Sequence, residues 1–126
     1  APKGKFDIDL PEDRSLGAIG DSAVVEAFGL GAMVIELSPE QKKLLSAYLP
    51  DDAAVRTSRL SVGAHPNFRN HTIKLGSTAR GAVGVGAGPV IGLGILDRLG
   101  KAGRLGSGIY DMPVDPFSAA VSALKK

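Results

Sequence analysis

Leu44, Leu45, Tyr48 and Leu49 recur at helical spacing, directly behind Ser38-Pro39-Glu40-Gln41 and directly ahead of Pro50. Serine at the N-cap, proline at the first helical position and glutamine at N3 make a capping-box pattern. A helix from about Pro39 to Leu49 is therefore predicted. A second is predicted at the end of the chain, where Phe117, Ala120, Val121 and Leu124 fall at i, i+3, i+4 and i+7. Asp115 reads there as the cap ahead of Pro116, and Lys125 and Lys126 sit where a helix dipole favours cations. A short helix over Ala23 to Phe28 is expected behind Gly20-Asp21-Ser22, with Asp21 or Ser22 capping its first amides. Gly29 and Gly31 weaken its end.

Other stretches read as extended. Lys5-Phe6-Asp7-Ile8-Asp9-Leu10 alternates polar and apolar, as an edge strand or an arm lying on another surface would. Val55 to Val62 is expected to be a strand, though its alternation is poor. Ile73 and Leu75 lead into a glycine region, where Ala82, Val83 and Val85, then Val90, Ile91, Leu93 and Ile95, predict buried strand or tight strand–turn segments. His65-Pro66-Asn67 predicts a turn, because the residue before a proline is pushed out of the helical region. The mixture predicts an α+β fold, with α/β as the alternative. It divides the chain into an N-terminal arm, residues 1–19, and one glycine-rich domain, residues 20–126.

Composition adds one unusual term. The length of 126 residues suits a single domain, yet eleven of its 17 glycines lie between Gly76 and Gly108. There is no G-X-Y period, and the interspersed Val, Ile and Leu argue against disorder. Glycine at this density is costly in conformational entropy, so the region must need bare backbone. A dinucleotide fingerprint would place a third glycine where Pro89, Asp97 or Asp111 stands. A P-loop ending at Gly100-Lys101 would need glycine at Ile95 and Ser or Thr at Ala102. Neither nucleotide motif fits. Anion-binding nests of free amides remain, beside close packing of backbone on backbone or approach to a partner subunit.

Charge and cysteine narrow the function classes. Fifteen Lys and Arg against 13 Asp and Glu give +2, with no basic run longer than two, so nucleic-acid binding is not the expected role. The absence of cysteine removes disulfides, thiolate catalysis and cysteine-based metal sites. His65 and His71, six apart, do not share one helix face, and no metal is expected. Gly81 to Leu96 is too short and too broken by glycine to span a bilayer. The opening Ala1-Pro2-Lys3-Gly4-Lys5 has no apolar run, so a cytoplasmic location is expected. Asp97 and Arg98 are the charges inside an otherwise apolar, glycine-bounded stretch. Asp21, Ser22 and Glu26 cluster in sequence, where helix capping and an exposed carboxylate are the simplest roles.

Gly20-Asp21-Ser22-Ala23, then Glu26, Phe28-Gly29, Gly31 and Ala32, resemble the G-D-S-A-x-x-E-x-x-G-x-G stretch of the YlbE-like family, also called the AllG family. Pro89-Val90-Ile91-Gly92-Leu93-Gly94-Ile95-Leu96-Asp97-Arg98, with Gly103, Gly106 and Gly108 in step, is similar to that family's closing glycine segment, and Pro113 and Phe117 continue the register. The match covers roughly residues 17–37 and 72–124 and corresponds to the C-terminal part of much longer members. Thr78 and Gly81 stand where the family has Asp and a second Arg, Gly92 where it has Asn, and Asp97-Arg98-Leu99 where it has His-Lys-Glu. The family includes a subunit of oxamate carbamoyltransferase. The resemblance implies a small subunit of a multi-subunit enzyme, sharing its site with a larger chain. Its target would be a carbamoyl or amide C–N bond of a small anionic substrate, by carbamoyltransferase-like or amidohydrolase-like chemistry. Asp21, Ser22, Glu26 and Asp97 are the expected catalytic residues. Arg80, Gly84, Gly86, Gly106 and Gly108 are the expected substrate contacts, and no cofactor is expected. The alternative is a non-catalytic assembly subunit or a small-molecule binding protein.

Overall fold

Val90 to Leu96 alternates apolar side chains with Gly92 and Gly94 and forms a strand, as its pattern predicts. The computed structural model describes residues 2–19, 21–27, 32–68 and 74–124. The expectations resting on Gly20, Phe28, Gly29, Gly31, His71, Ile73, Lys125 and Lys126 lie outside them. In chain order the elements are β1 (Lys3–Phe6), α1 (Asp21–Ala27), α2 (Pro39–Leu45), α3 (Ala53–Leu60), β2 (Ser61–Ala64), β3 (Lys74–Ser77), α4 (Ala79–Val85), β4 (Val90–Leu96), β5 (Arg104–Asp111) and α5 (Asp115–Ala123). Three-residue-per-turn helices cover Glu12–Arg14, Ala32–Leu37 and Ser46–Tyr48. The main sheet is antiparallel in the order β1-β5-β4, and β2 and β3 form a second two-stranded ladder. This is the expected α+β fold.

Two stretches expected as strands are mainly helical, although Ser61 and Val62, at the end of the first, do belong to β2. Residues 53–60 form α3 because Arg56 and Leu60, one turn apart, are the positions it buries, while Val55 stays exposed. The expected strand was keyed to valines that face solvent. Residues 79–85 form α4 despite two glycines because both ends are capped. The Thr78 hydroxyl accepts from the Gly81 amide at 3.0 Å, and Gly86 closes the helix at φ 76° with its amide on the Ala82 carbonyl. That left-handed cap is where glycine is needed.

Three capping details also differ. Asp21 and Ser22 are the first residues of α1 rather than caps ahead of a helix starting at Ala23. Ser38 makes no side-chain cap bond, so α2 starts on the Pro39 ring and the Ser38 carbonyl, and it tightens into a 3-10 turn after Leu45. Val114, not Asp115, is the N-cap of α5. The turn at His65-Pro66-Asn67 forms, closed by the Phe68 amide on the His65 carbonyl.

Apolar burial falls into two clusters. Ala32, Ile35, Leu45, Val90 and Ile109 pack the 32–37 turn and α2 onto the main sheet. Leu60 and Ala82, with Val85 and Phe117, hold α3, α4 and α5 together. An edge strand exists, but earlier than the expected run over residues 5–10: β1 ends at Phe6 and pairs with β5 from Lys3↔Ile109 to Phe6↔Gly106. Gly106 belongs there because a Cβ would collide with the Lys5 carbonyl oxygen. Backbone packed on backbone thus accounts for part of the glycine density.

Candidate functional site

Gly92 and Gly94 of β4 lie opposite Ile109 and Ser107 of β5. Two bare positions on one face of a sheet leave a trough, and the 32–37 turn and α2 roof it without filling it. The result is a cleft of about 410 Å³. Its apolar lining comes from Ala32, Val34, Ile35, Leu45, Leu93 and Ile109, and its polar lining from Ser38, Gln41, Ser107 and Arg104. Among these residues Arg104 is the one cation.

A β-bulge aims Arg104 into the cleft. In a regular strand residues 104 and 107 would point to opposite faces, since side chains alternate. Here Ile95 pairs with Gly106 and Leu96 with Arg104, which leaves Leu105 as the extra residue. The inserted residue brings Arg104 to the face of Ser107. Its Nη2 donates to Ser107 Oγ at 2.5 Å and its Nη1 to Asp7 Oδ2 at 2.8 Å. The side chain runs across Gly94, in the space a β-carbon there would border. Arg104 and Asp7 are both about half exposed, at 54% and 51%, so their pairing is worth at most about 1 kcal/mol and can be exchanged for another anion.

The expected catalytic residues occupy three different settings. Glu26 is fully buried, and its Oε1 accepts the amides of Ala32 and, at 3.2 Å, Gly92. It ties the start of the roofing turn to the cleft floor. Ser22, one helical turn earlier on α1, borders a recess of about 180 Å³ that shares Leu93 and Gly94 with the cleft. Asp21 opens α1.

Asp97 stands five residues beyond Gly92, roughly 16 Å along a strand. Its carboxylate takes a two-point pair from Arg14, at 2.9 and 2.6 Å, and the amides of Leu99, Lys101 and Ala102. The Arg14 guanidinium holds the Asp97 carboxyl far below the usual carboxylate range, with the three amides reinforcing it against the effect of burial. Every lone-pair direction is used in winding the β4–β5 connection and fastening residues 13–16 to it.

The expected substrate contacts also separate. Gly108 borders the cleft, while Gly106 lies against β1. Gly84 sits within α4 and Gly86 caps it. Arg80, exposed on α4, makes no hydrogen bond or ion pair among the described residues.

Two arginines with structural partners were not legible as such. Arg56, 6% exposed, donates to Asp52 at 3.2 and 2.6 Å, to Asp111 and to the Gly88 carbonyl at 3.3 Å. It joins the three-helix cluster to the end of β5, and its hydrogen bonds hold Asp52 below its ordinary value. The Asp52–Arg56 spacing of four was a usable signal. Arg14 and Asp97, 83 residues apart, offered none. Among the described residues no group of His, Asp and Glu could hold a metal ion, and no helix is long and apolar enough to cross a membrane.

Fold and cleft together define a small α+β domain that offers one arginine at the end of a mainly apolar, glycine-floored cavity. No family model matches the chain. It is similar to the oxamate carbamoyltransferase subunit AllG of Escherichia coli K12, 25% identical over 134 residues that span 98% of this chain and 31% of that protein. A solved structure, a conserved protein of unknown function from Enterococcus faecalis V583, has the same fold, with a TM-score of 0.79 over 98% of this chain and 31% of that one at 22% identity. The chain therefore spans about a third of the length of each protein it matches.

Proposed function

We propose that this chain is the substrate-holding part of a multi-subunit enzyme acting on the carbamoyl or amide C–N bond of a small anionic substrate. The observation that carries the proposal is the displaceable Arg104 guanidinium in the cleft of a chain that is similar, along 98% of its length, to about a third of a carbamoyltransferase subunit. The substrate carboxylate takes the place of Asp7 on the Arg104 fork, where a two-point pair fixes its plane as well as its charge. The Ser107 hydroxyl lies beside that fork, and Ser38 lines the same cleft. Gly92 cannot offer its amide, which Glu26 already holds.

The chain contributes orientation and charge stabilisation at the reacting carbonyl, and the larger partner chain completes the site. Ser22 at the adjoining recess, with Asp21 beside it, faces that partner in this proposal. Glu26 and Asp97 act by holding the cleft wall and the β4–β5 connection. Arg80, with Gly84 and Gly86 behind it on α4, is a second anion contact reached from the partner's side.

The test is an oxamate titration of the isotope-labelled chain followed by amide NMR. Oxamate is expected to shift Gly94 and Ser107, and Arg104→Gln to weaken it about tenfold, the usual worth of a charge-assisted hydrogen bond. Equal affinity in that variant would overturn the assignment.

A purely structural role rests on a different observation. Ile19, which lines the Ser22 recess, and Val24 and Val25 of α1 are exposed at 59%, 59% and 47%, and exposed apolar patches mark interaction surfaces. If assembly is the whole function, oxamate will leave the spectrum unchanged while Val24→Lys releases the chain from its larger partner.

A further inference from the structure

The cleft is far larger than its polar end requires. A two-carbon acid amide such as oxamate is satisfied by Arg104 and Ser107, which touch each other. The rest of the lining is mainly hydrocarbon from Val34, Ile35, Leu45 and Ile109, with Ser38 and Gln41 as its remaining polar side chains, and the floor is glycine backbone. Cavities of about 410 Å³ lie in the range that small-molecule sites occupy, where apolar walls supply burial and a few polar groups set orientation. Such a shape selects for an anionic head joined to an apolar body.

Three features make this a built arrangement. The Arg104 side chain lies across Gly94, in van der Waals range of where a β-carbon would stand. The bulge at Leu105 turns Arg104 towards the cleft. Glu26 fixes the roofing turn to Gly92, so the apolar wall is held at a set distance from the floor. Asp7 occupies the guanidinium from outside the cleft, as an exposed carboxylate that a ligand of the same chemistry can replace.

We infer that the cleft binds a monocarboxylate whose aliphatic body of several carbons lies between Val34, Ile35 and Leu45, with its carboxylate on Arg104 in place of Asp7. This rests on the anion site proposed above and names the substrate class it selects. The ligand is thereby different from a two-carbon substrate, which would leave most of the cleft of about 410 Å³ unfilled.

The test uses acetate, butanoate, hexanoate, hexylammonium and oxamate, each titrated into the labelled chain and followed at the amides of Gly94, Ser107 and Ile35. Affinity is expected to rise roughly fourfold per added methylene from acetate to hexanoate, the transfer value for a buried CH₂. Hexylammonium should not bind. Arg104→Gln should lower hexanoate affinity about tenfold, and Val34→Phe, which fills the apolar end, should remove the gain with length while sparing acetate. Both substitutions are at positions with solvent exposure, and the amide spectrum reports folding directly.

If hexanoate binds no tighter than acetate while oxamate still depends on Arg104, the apolar-body inference is overturned and the anion site stands. If none of the carboxylates depends on Arg104, both are overturned. A hexylammonium affinity equal to that of hexanoate would likewise overturn the inference, since it would make the wall the whole of the recognition.

Discussion

Replacing Glu26 separates a structural carboxylate from a catalytic one. Its Oε1 accepts two backbone amides, one buried at Ala32 and one partly buried at Gly92. In Glu26→Ala both lose that acceptor. A buried unsatisfied amide costs about 1–3 kcal/mol and a partly wet one about 1 kcal/mol, so the variant should lose about 2–4 kcal/mol. That is a large share of the total stability of an ordinary domain, and for a chain of this size it lowers Tm by roughly 10–15 °C. Glu26→Gln keeps an acceptor oxygen and should lose only about 1 kcal/mol. Urea unfolding followed by circular dichroism gives both values, and the Gly94 and Ser107 amides report whether the cleft survives. A catalytic Glu26 predicts the reverse, with carbamoyl transfer abolished in Glu26→Gln at unchanged stability. Stability of Glu26→Ala within about 0.5 kcal/mol of wild type would refute the anchoring argument.

Three further outcomes follow from the same contacts. The Asp97 carboxyl ionises more readily folded than unfolded, so its contribution is complete above the ordinary carboxylate range and fades as pH falls through and below it. The gap in urea midpoint between wild type and Asp97→Asn should therefore be full near neutrality and shrink from about pH 4 downward; a gap independent of pH would contradict the ion pair. Arg56→Met removes a buried cation but leaves Asp52 and Asp111 about half exposed. The cost should be about 2 kcal/mol, below the range for stranding a fully buried charge, and a loss under about 0.5 kcal/mol by calorimetry would deny Arg56 its joining role. Gly106→Ala drives a methyl group into the Lys5 carbonyl. Hydrogen exchange at Lys5 and Asp7, whose amides face β5, should then accelerate more than tenfold while the Leu60 region is unaffected, and unchanged exchange would show that β1 accommodates the side chain.

Legibility followed the range of the forces involved. The helix behind Pro39, the C-terminal helix, the turn at Pro66 and the strand from Val90 were readable because proline geometry and side-chain period act within a few residues. Helix α4 was readable in principle, since Thr78 and Gly86 bracket it as caps, but the intervening Val and Gly residues drew the reading towards a strand. Helix α3 was misread because its buried face is carried by Arg56 and Leu60, and a buried arginine makes sense only once Asp111 and Gly88 are beside it. Glu26, for which an exposed carboxylate was the simplest expectation, is fully buried, whereas Asp97 stood out as a charge in an apolar stretch. Their partners, an amide 66 residues away and an arginine 83 residues away, point to anchoring, which chain position alone does not convey.

By itself the sequence determined an α+β domain without cysteine chemistry or a nucleotide motif, and a glycine-dense strand region that needed bare backbone. Local propensity and side-chain size suffice for that much. Only the tertiary structure decided what the bare backbone is for: Gly106 admits β1, Gly86 ends a helix, and Gly92 and Gly94 leave a cleft open under α2. It alone brought Arg104 into that cleft, because one extra residue in β5 reverses which face a side chain takes. No periodicity in the chain records a shift that exists only relative to the neighbouring strand.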